Sequence, residues 1–174
     1  MIDNELGGGR FERLCVDLLY RNGYRDIVPI EPQDSGRDAE EFPRQGRGRE
    51  GCPAVFQFSL ERDWKNKLRR DARKLANRRS EFSTFVFVTS QKARGVDVDS
   101  LKSEFLREYG WTLIVFSREW LRLQLEVAHP DLASRHLGID VPPSPYRLSG
   151  VGRISEQTNE RTIRSLGCIG SRGV

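Results

Sequence analysis

The sequence has little of what would support a disulfide framework, a zinc centre or a membrane span. It contains three cysteines, far apart at positions 15, 52 and 168, and no Cys-x-x-Cys pair or Cys/His cluster. No apolar run approaches the roughly 20 residues that a membrane-spanning helix needs. The N-terminus, MIDNELGGGRFE, is acidic and glycine-rich, unlike a signal peptide. A cytoplasmic protein that does not enter the membrane is therefore expected.

Apolar residues are also scarce, which limits the size of the core. Only 37% of the 174 residues are hydrophobic, whereas 31% are charged. This balance predicts one modest core joined to a polar segment. Hydrophobic periodicity ends near residue 140, and proline, serine and glycine dominate from VPPSPYRLSG onward. We therefore predict a domain over residues 1–140 and a linker or tail over 141–174, compatible with a connection to a further domain.

Positive charge is concentrated on one segment. The net charge of +4 is mild, but nine Lys or Arg residues stand against two acids between Arg62 and Arg79. Such a segment attracts a phosphate backbone, although a solvated helix face is the ordinary alternative. The candidate phosphate contacts are Lys65, Arg69, Arg70 and Arg73, with Arg47 and Arg49 on the loop RQGRGREGCP, which would otherwise be mobile.

Hydrophobic periodicity predicts a first helix over residues 4–22. Its apolar arc consists of side chains at helical spacing, namely Phe11, Leu14, Cys15, Leu18 and Leu19. At 100° per residue the arc, widened by Val16, also contains Glu12. A carboxylate inside an apolar arc is costly unless a cation or a donor partners it, so Glu12 is a candidate functional residue or the partner of an arginine.

The remaining elements predict an α/β fold. Three strands are expected in YRDIVPIEP, RDAEEF and AVFQFSL, before a basic helix over 62–79. The strands STFVFVTS and WTLIVF then alternate with helices near 100–108 and 118–127, and HPDLASRHLGID forms a terminal helix. Adjacent strands indicate a meander, whereas strands that alternate with helices indicate parallel crossovers. A mixed sheet of about five strands, flanked by helices, follows.

Polar residues with oxygen atoms cluster near the second and third predicted strands. Asp38 follows the turn QDSG, and strand alternation places Gln57 and Ser59 on one face of AVFQFSL. Carboxylate and amide oxygens suit Mg²⁺ or Mn²⁺, and such an ion can activate water and neutralise a phosphate. Asp34, inside the turn, is a second choice for Asp38. Alternatively, Asp38 bonds the local backbone and Gln57 is a satisfied polar residue beneath a helix.

Three stretches in this order, GGRFERLCVDLLYRNGYRDI, SGRDAE and FQFS, resemble the PD-(D/E)XK nuclease superfamily and are most similar to its Mrr-like branch. The resemblance covers roughly residues 7–140. It implies a three-layer restriction-endonuclease-like fold and DNA cleavage with Mg²⁺ or Mn²⁺. Asp38 matches the metal-binding acid, Gln57 the first position of the strand signature, and Glu12 the supporting helix glutamate. It also implies an effector in restriction or anti-phage defence, with a fused or associated sensor and homodimers.

One residue departs from the family pattern, because Ser59 occupies the position of the lysine that orients the attacking water. A serine hydroxyl cannot supply the positive charge. Similar folds sometimes carry this lysine on the following helix, where Lys65 and Lys67 are available and Lys67 is preferred. Lys67 has a structural alternative in an i,i+4 pair with Asp71.

The expected function is therefore a metal-dependent endodeoxyribonuclease with Asp38, Gln57, Glu12 and Lys67 at its site. The alternative is a catalytically inactive relative that binds nucleic acid or another protein, which Ser59 favours. His129 and His136 lack a suitably spaced partner and are interpreted as structural.

Overall fold

The structure, a computed structural model, describes residues 7–24, 27–29, 39–41, 54–78 and 82–142. Its helices are α1 (Gly8–Arg21), α2 (Trp64–Leu75), α3 (Gly95–Tyr109), α4 (Arg118–Leu123) and α5 (Pro130–Leu137). A 3₁₀ turn, Ala76–Arg78, follows α2, and a π-helix, Gln124–Ala128, extends α4. The strands are β1 (Ile27–Pro29), β2 (Ala39–Glu41), β3 (Ala54–Ser59), β4 (Thr84–Thr89) and β5 (Thr112–Phe116).

The strands form one mixed sheet in the order β1-β2-β3-β4-β5. The two three-residue strands β1 and β2 are antiparallel to their neighbours, whereas β3, β4 and β5 are parallel. The parallel strands β3, β4 and β5 and the helices that connect them confirm the predicted α/β class. Of the tail predicted over 141–174, residues 143–174 lie outside the described residues.

Helices cover both faces of the sheet, so that β3 and β4 are buried on both sides, whereas β5 is mostly half-buried. Side chains that alternate along each strand enter two separate apolar cores. One core joins Val55, Phe85 and Phe87 to α2 and α3. The other joins Phe56, Phe58, Val86 and Val88 to α1, α4 and α5. Both crossover helices lie on one face because successive right-handed crossovers in one direction along the sheet return to the same side.

The helix boundaries differ from the sequence-based predictions. The helices predicted over 4–22 and 62–79 are Gly8–Arg21 and Trp64–Leu75. The helix expected to begin near residue 100 begins at Gly95, where Arg94 pairs with Asp97 at 2.9 Å and the acid stands in the favourable first turn. The helix predicted over 118–127 turns from α to π at Gln124. There the buried Gln124 accepts a hydrogen bond of 2.9 Å from Asn22, at the end of α1.

Aromatic rings fill the core between α3 and the sheet. Gly110 adopts a left-handed φ of 74° and ends α3, so that Trp111 turns back under the helix. Trp111 then lies against Phe82, Phe85, Phe105 and Tyr109, with ring centroids 4.6–6.4 Å apart. Among the described residues, no helix has the length and apolar character that crossing a membrane requires.

We expect Phe85→Ala to lower the free energy of unfolding by about 3–5 kcal/mol, because Phe85 is fully buried between Phe105 and Trp111. The measurement is urea unfolding followed by tryptophan fluorescence. Leu106→Ala is the control, since Leu106 is 64% exposed on α3 and its truncation should change stability by no more than about 0.5 kcal/mol. Equal effects of the two substitutions would contradict the proposed packing.

Candidate functional site

Gln57 and Ser59 lie on the face of β3 that α2 covers. All six residues of β3 are buried, and Val55, on the same face, packs with α2. Gln57 is 1% exposed, and its Nε2 donates to the carbonyl oxygen of Phe56 at 3.2 Å. The Ser59 hydroxyl accepts a hydrogen bond of 3.1 Å from the backbone N–H of Glu61. Ser59 therefore stabilises the turn that leads from β3 into α2.

Helix α2 begins with a side-chain cap and buries one stripe. Asp63 accepts hydrogen bonds from the backbone N–H and the side-chain amide of Asn66, which satisfies an otherwise unpaired helix N–H. The buried stripe consists of Trp64, Leu68, Asp71, Ala72 and Leu75. A stripe defined by apolar residues alone would leave out Asp71, although its spacing of seven from Trp64 and three from Leu68 indicates the buried side.

Lys67 contacts the buried carboxylate of Asp71. Its Nζ lies 2.7 Å from Oδ2 of Asp71, and Nζ of Lys74 lies 3.4 Å from Oδ1. The side chain of Asp71 is 1% exposed and that of Lys67 is 20% exposed. The i,i+4 pair that the sequence offered as the structural alternative for Lys67 is therefore present, and a catalytic role of Lys67 stays a prediction.

The cations of α2 lie on two opposite flanks of the helix. On the flank toward α3, Lys65 pairs with Asp97 at 2.8 Å, and Arg69 forms two hydrogen bonds of 2.7 Å with Glu104. Lys67 stands about 160° around the axis from Arg69, on the other flank. Since α3 packs on β5, this second flank faces the side of the sheet where β2 lies.

The ion pairs between α2 and α3 shift the pKa values of the side chains that form them. The hydrogen bonds between Arg69 and Glu104 raise the pKa of the guanidinium and lower the pKa of the carboxyl. The hydrogen bond from Arg94, followed by that from Lys65, lowers the pKa of Asp97 to about 2. The acids of α3 therefore stay ionised, and they occupy two of the predicted phosphate contacts, Lys65 and Arg69.

The other predicted phosphate contacts differ in how available they are. Arg70 pairs with Glu61 at 2.7 Å, but both side chains are about half exposed, so this pair holds the guanidinium weakly. Arg73 is exposed on the outer side of α2 and has no ion pair within the described part of the chain. Arg62, which the sequence analysis did not single out, is likewise exposed and unpaired there. Arg47 and Arg49 lie outside the described residues.

The expectation that Glu12 lies inside the buried arc of the first helix is wrong. Glu12 is exposed, whereas the five predicted apolar residues of that arc are buried. Glu12 stands about 90° from the centre of the arc, where a carboxylate still reaches water. In addition, α1 packs against the sheet face of Phe56 and Phe58, not the face of Gln57. The structure does not bring Glu12 and Gln57 together. The role of Glu12 in supporting a metal site stays a prediction.

Asp38 and its second choice Asp34 lie outside the described residues. The residue that follows Asp38 is Ala39, which begins β2 and is the register partner of Phe56, next to Gln57. Over the described ranges, no group of three or more His, Cys, Asp or Glu side chains is placed to hold a metal ion. His136 contacts Asp17 at 2.7 Å and so links α5 to α1, in line with the structural interpretation of this histidine.

The chain matches no protein-family model, and the search of curated proteins finds no similar sequence. The resemblance to the nuclease superfamily therefore stays a prediction from the quoted motifs.

We expect Glu104→Gln to make the free energy of unfolding depend less on pH between pH 7 and pH 3. The pKa of Glu104 is lower in the folded state than its ordinary value of 4.5, so its stabilising contribution is complete above that value. The contribution is lost as the pH falls toward the lower folded pKa. The measurement is urea unfolding of both proteins from pH 7 to pH 3. Glu119→Gln, at an exposed pair with Arg122, is the control and should follow the unsubstituted protein.

Proposed function

We propose that the protein is a metal-dependent endonuclease that cleaves DNA, built on a restriction-endonuclease-like three-layer fold. The observation that carries the proposal is the register of β2 on β3. Ala39 pairs with Phe56 in an antiparallel ladder, and one further step of the same register would pair Asp38 with Gln57. Paired residues share a face, which here is the face of Ser59 and α2. A carboxylate and an amide oxygen would then converge next to a basic helix.

The residues of this proposed site fit a hard divalent cation. Asp38 and Gln57 would hold Mg²⁺ or Mn²⁺ through oxygen atoms, the ligands that these ions prefer. When bound, such an ion supplies charge neutralisation and an activated water. Glu12 is not among the proposed direct ligands, because it is exposed on a helix that packs against the opposite face.

Lys67 is the proposed source of the positive charge that Ser59 cannot supply. It lies on the flank of α2 that faces the β2 side of the sheet, and therefore the side from which Asp38 would approach. The ammonium would orient the attacking water or hold a phosphate oxygen of the DNA. Ser59 then keeps a structural task at the turn into α2.

DNA would bind through its phosphates along the outer side of α2. Arg73 and Arg62 are the proposed contacts, and Arg70 joins them because its pair with Glu61 is exposed. Lys65 and Arg69 are assigned to the link with α3 instead. Contacts of this kind give affinity with little sequence discrimination. A role as an effector in anti-phage defence, with a sensor and as a homodimer, follows only from the family resemblance.

A second candidate is a catalytically inactive relative that binds nucleic acid or another protein. One observation favours it: Ser59 and Lys67, the two residues that bear on the missing lysine, both make contacts within the protein.

Cleavage of supercoiled and linear DNA, with and without Mg²⁺ or Mn²⁺, tests the enzyme against this second candidate. We expect metal-dependent cleavage that falls by roughly 100-fold or more in Asp38→Asn and in Lys67→Met. The first substitution removes the negative charge of the proposed metal ligand, and the second removes the positive charge next to the reacting phosphate. Lys102→Met is the matched control, because Lys102 is exposed on α3. Tight binding without cleavage, under either metal and with both kinds of DNA, would favour the inactive relative.

We expect Arg73→Ala to weaken DNA binding and to reduce the dependence of the binding constant on salt. Loss of one phosphate contact lowers the slope of log K against log salt by about 0.9 for duplex DNA. Fluorescence anisotropy over a salt series measures this slope. Arg122→Ala is the control, because Arg122 belongs to α4 on the opposite face of the sheet. An unchanged slope in Arg73→Ala would remove Arg73 from the interface.

A further inference from the structure

A carboxylate occupies one position of the buried stripe of α2. Asp71 lies beside Leu68, Ala72 and Leu75, and its side chain is 1% exposed. An apolar residue at this position would extend the stripe, whereas a buried carboxylate must be compensated by cations or donors. The packing of α2 on the sheet therefore gives no reason for an acid at this position.

The ion pair between Lys67 and Asp71 is also not expected to stabilise the fold more than apolar residues would. Replacement of a buried ion pair by apolar residues of similar volume is often neutral or stabilising. Within a helix, an acid that precedes a lysine by four residues is the better order, and here Lys67 precedes Asp71. The pair therefore calls for an explanation other than the stability of the helix.

The two lysines contact different oxygen atoms of the Asp71 carboxylate. Lys74 is 51% exposed and donates a hydrogen bond of 3.4 Å to Oδ1. Lys67 lies closer, at 2.7 Å from Oδ2. An ammonium carries three N–H donors, and a contact with a single carboxylate oxygen does not use them all. Asp71 thus fixes the position of this ammonium and leaves N–H donors for a further partner.

We propose that Asp71 is a positioning residue that holds the Lys67 ammonium on the β2 side of α2, with its donors directed to a phosphate oxygen or a water of the substrate. This inference rests on the proposed nuclease function, because it assigns the reason for holding Lys67. Lys67 has four rotatable side-chain bonds, and a fixed ammonium avoids the loss of that freedom when DNA binds. Lys74, on the exposed side of the carboxylate, acts as its second counter-ion.

The first experiment does not depend on cleavage. Proton–nitrogen correlation NMR of lysine ammonium groups detects those that exchange slowly with water, and Lys67→Arg identifies the Lys67 signal by its loss. We expect the Lys67 signal in the unsubstituted chain and in Lys74→Met, and its loss in Asp71→Asn. Absence of the signal in the unsubstituted chain, or its persistence in Asp71→Asn, would overturn the proposal. If the asparagine variant unfolds, Asp71→Leu, which extends the apolar stripe, replaces it.

The second experiment separates positioning from a merely structural role. We expect Asp71→Asn to lower kcat by roughly 10- to 100-fold, because the ammonium loses its place, while KM changes by less than about twofold. Asp71→Glu should recover part of kcat, and Lys102→Met, at an exposed position of α3, should leave it unchanged. A rise of KM alone, or no rescue by glutamate, would contradict the proposal. If the unsubstituted chain cleaves no DNA, the nuclease function fails, while the ammonium signal still decides whether Asp71 holds Lys67.

Discussion

The parallel pairing of β3, β4 and β5 is the constraint on which the rest of the structure depends. Parallel neighbours need a crossover, and two successive right-handed crossovers place α2 and α3 side by side on one face. The opposite face is then left to α1, α4 and α5. Every polar residue of interest takes its position from this division. Gln57 and Ser59 face α2 because of strand alternation, and Glu12 belongs to the other layer.

Contact between the two crossover helices separates the cations of α2 into those that pair with acids of α3 and those that do not. The acids of α3, Asp97 and Glu104, face one flank of α2 and neutralise Lys65 and Arg69. The cations on the outer side and on the far flank do not pair with acids of α3. A segment that is uniformly basic in sequence therefore has two parts in the fold, one that links α2 to α3 and one that does not. The proposed DNA interface uses only the second part.

Much of this architecture could be predicted from the sequence, because local patterns set it. The apolar run around Phe85 indicates a central buried strand, and the alternation in β3 assigns Gln57 and Ser59 to one face. Long-range contacts could not be predicted in this way. The pair of Arg69 and Glu104 joins residues 35 positions apart, and no periodicity shows which cation an acid on another helix will meet.

Two residues show that a helical pattern of apolar residues does not by itself decide burial. Glu12 lies at the margin of its arc, and the spacing alone does not tell whether such a carboxylate is buried or solvated. Asp71 stands fully within its stripe, although a stripe defined by apolar residues alone would leave it out. Helical geometry therefore decided the burial of Asp71, whereas at the margin of an arc it did not decide that of Glu12.

The two parallel hydrogen bonds between Arg69 and Glu104 also restrict motion. A guanidinium and a carboxylate joined at two points must stay nearly coplanar, so the contact resists rotation of α2 about its own axis. A point contact such as that between Lys65 and Asp97 would permit this rotation. Since each residue of a helix occupies a fixed angle, a rotational lock on one flank sets the direction in which the far flank presents its charges.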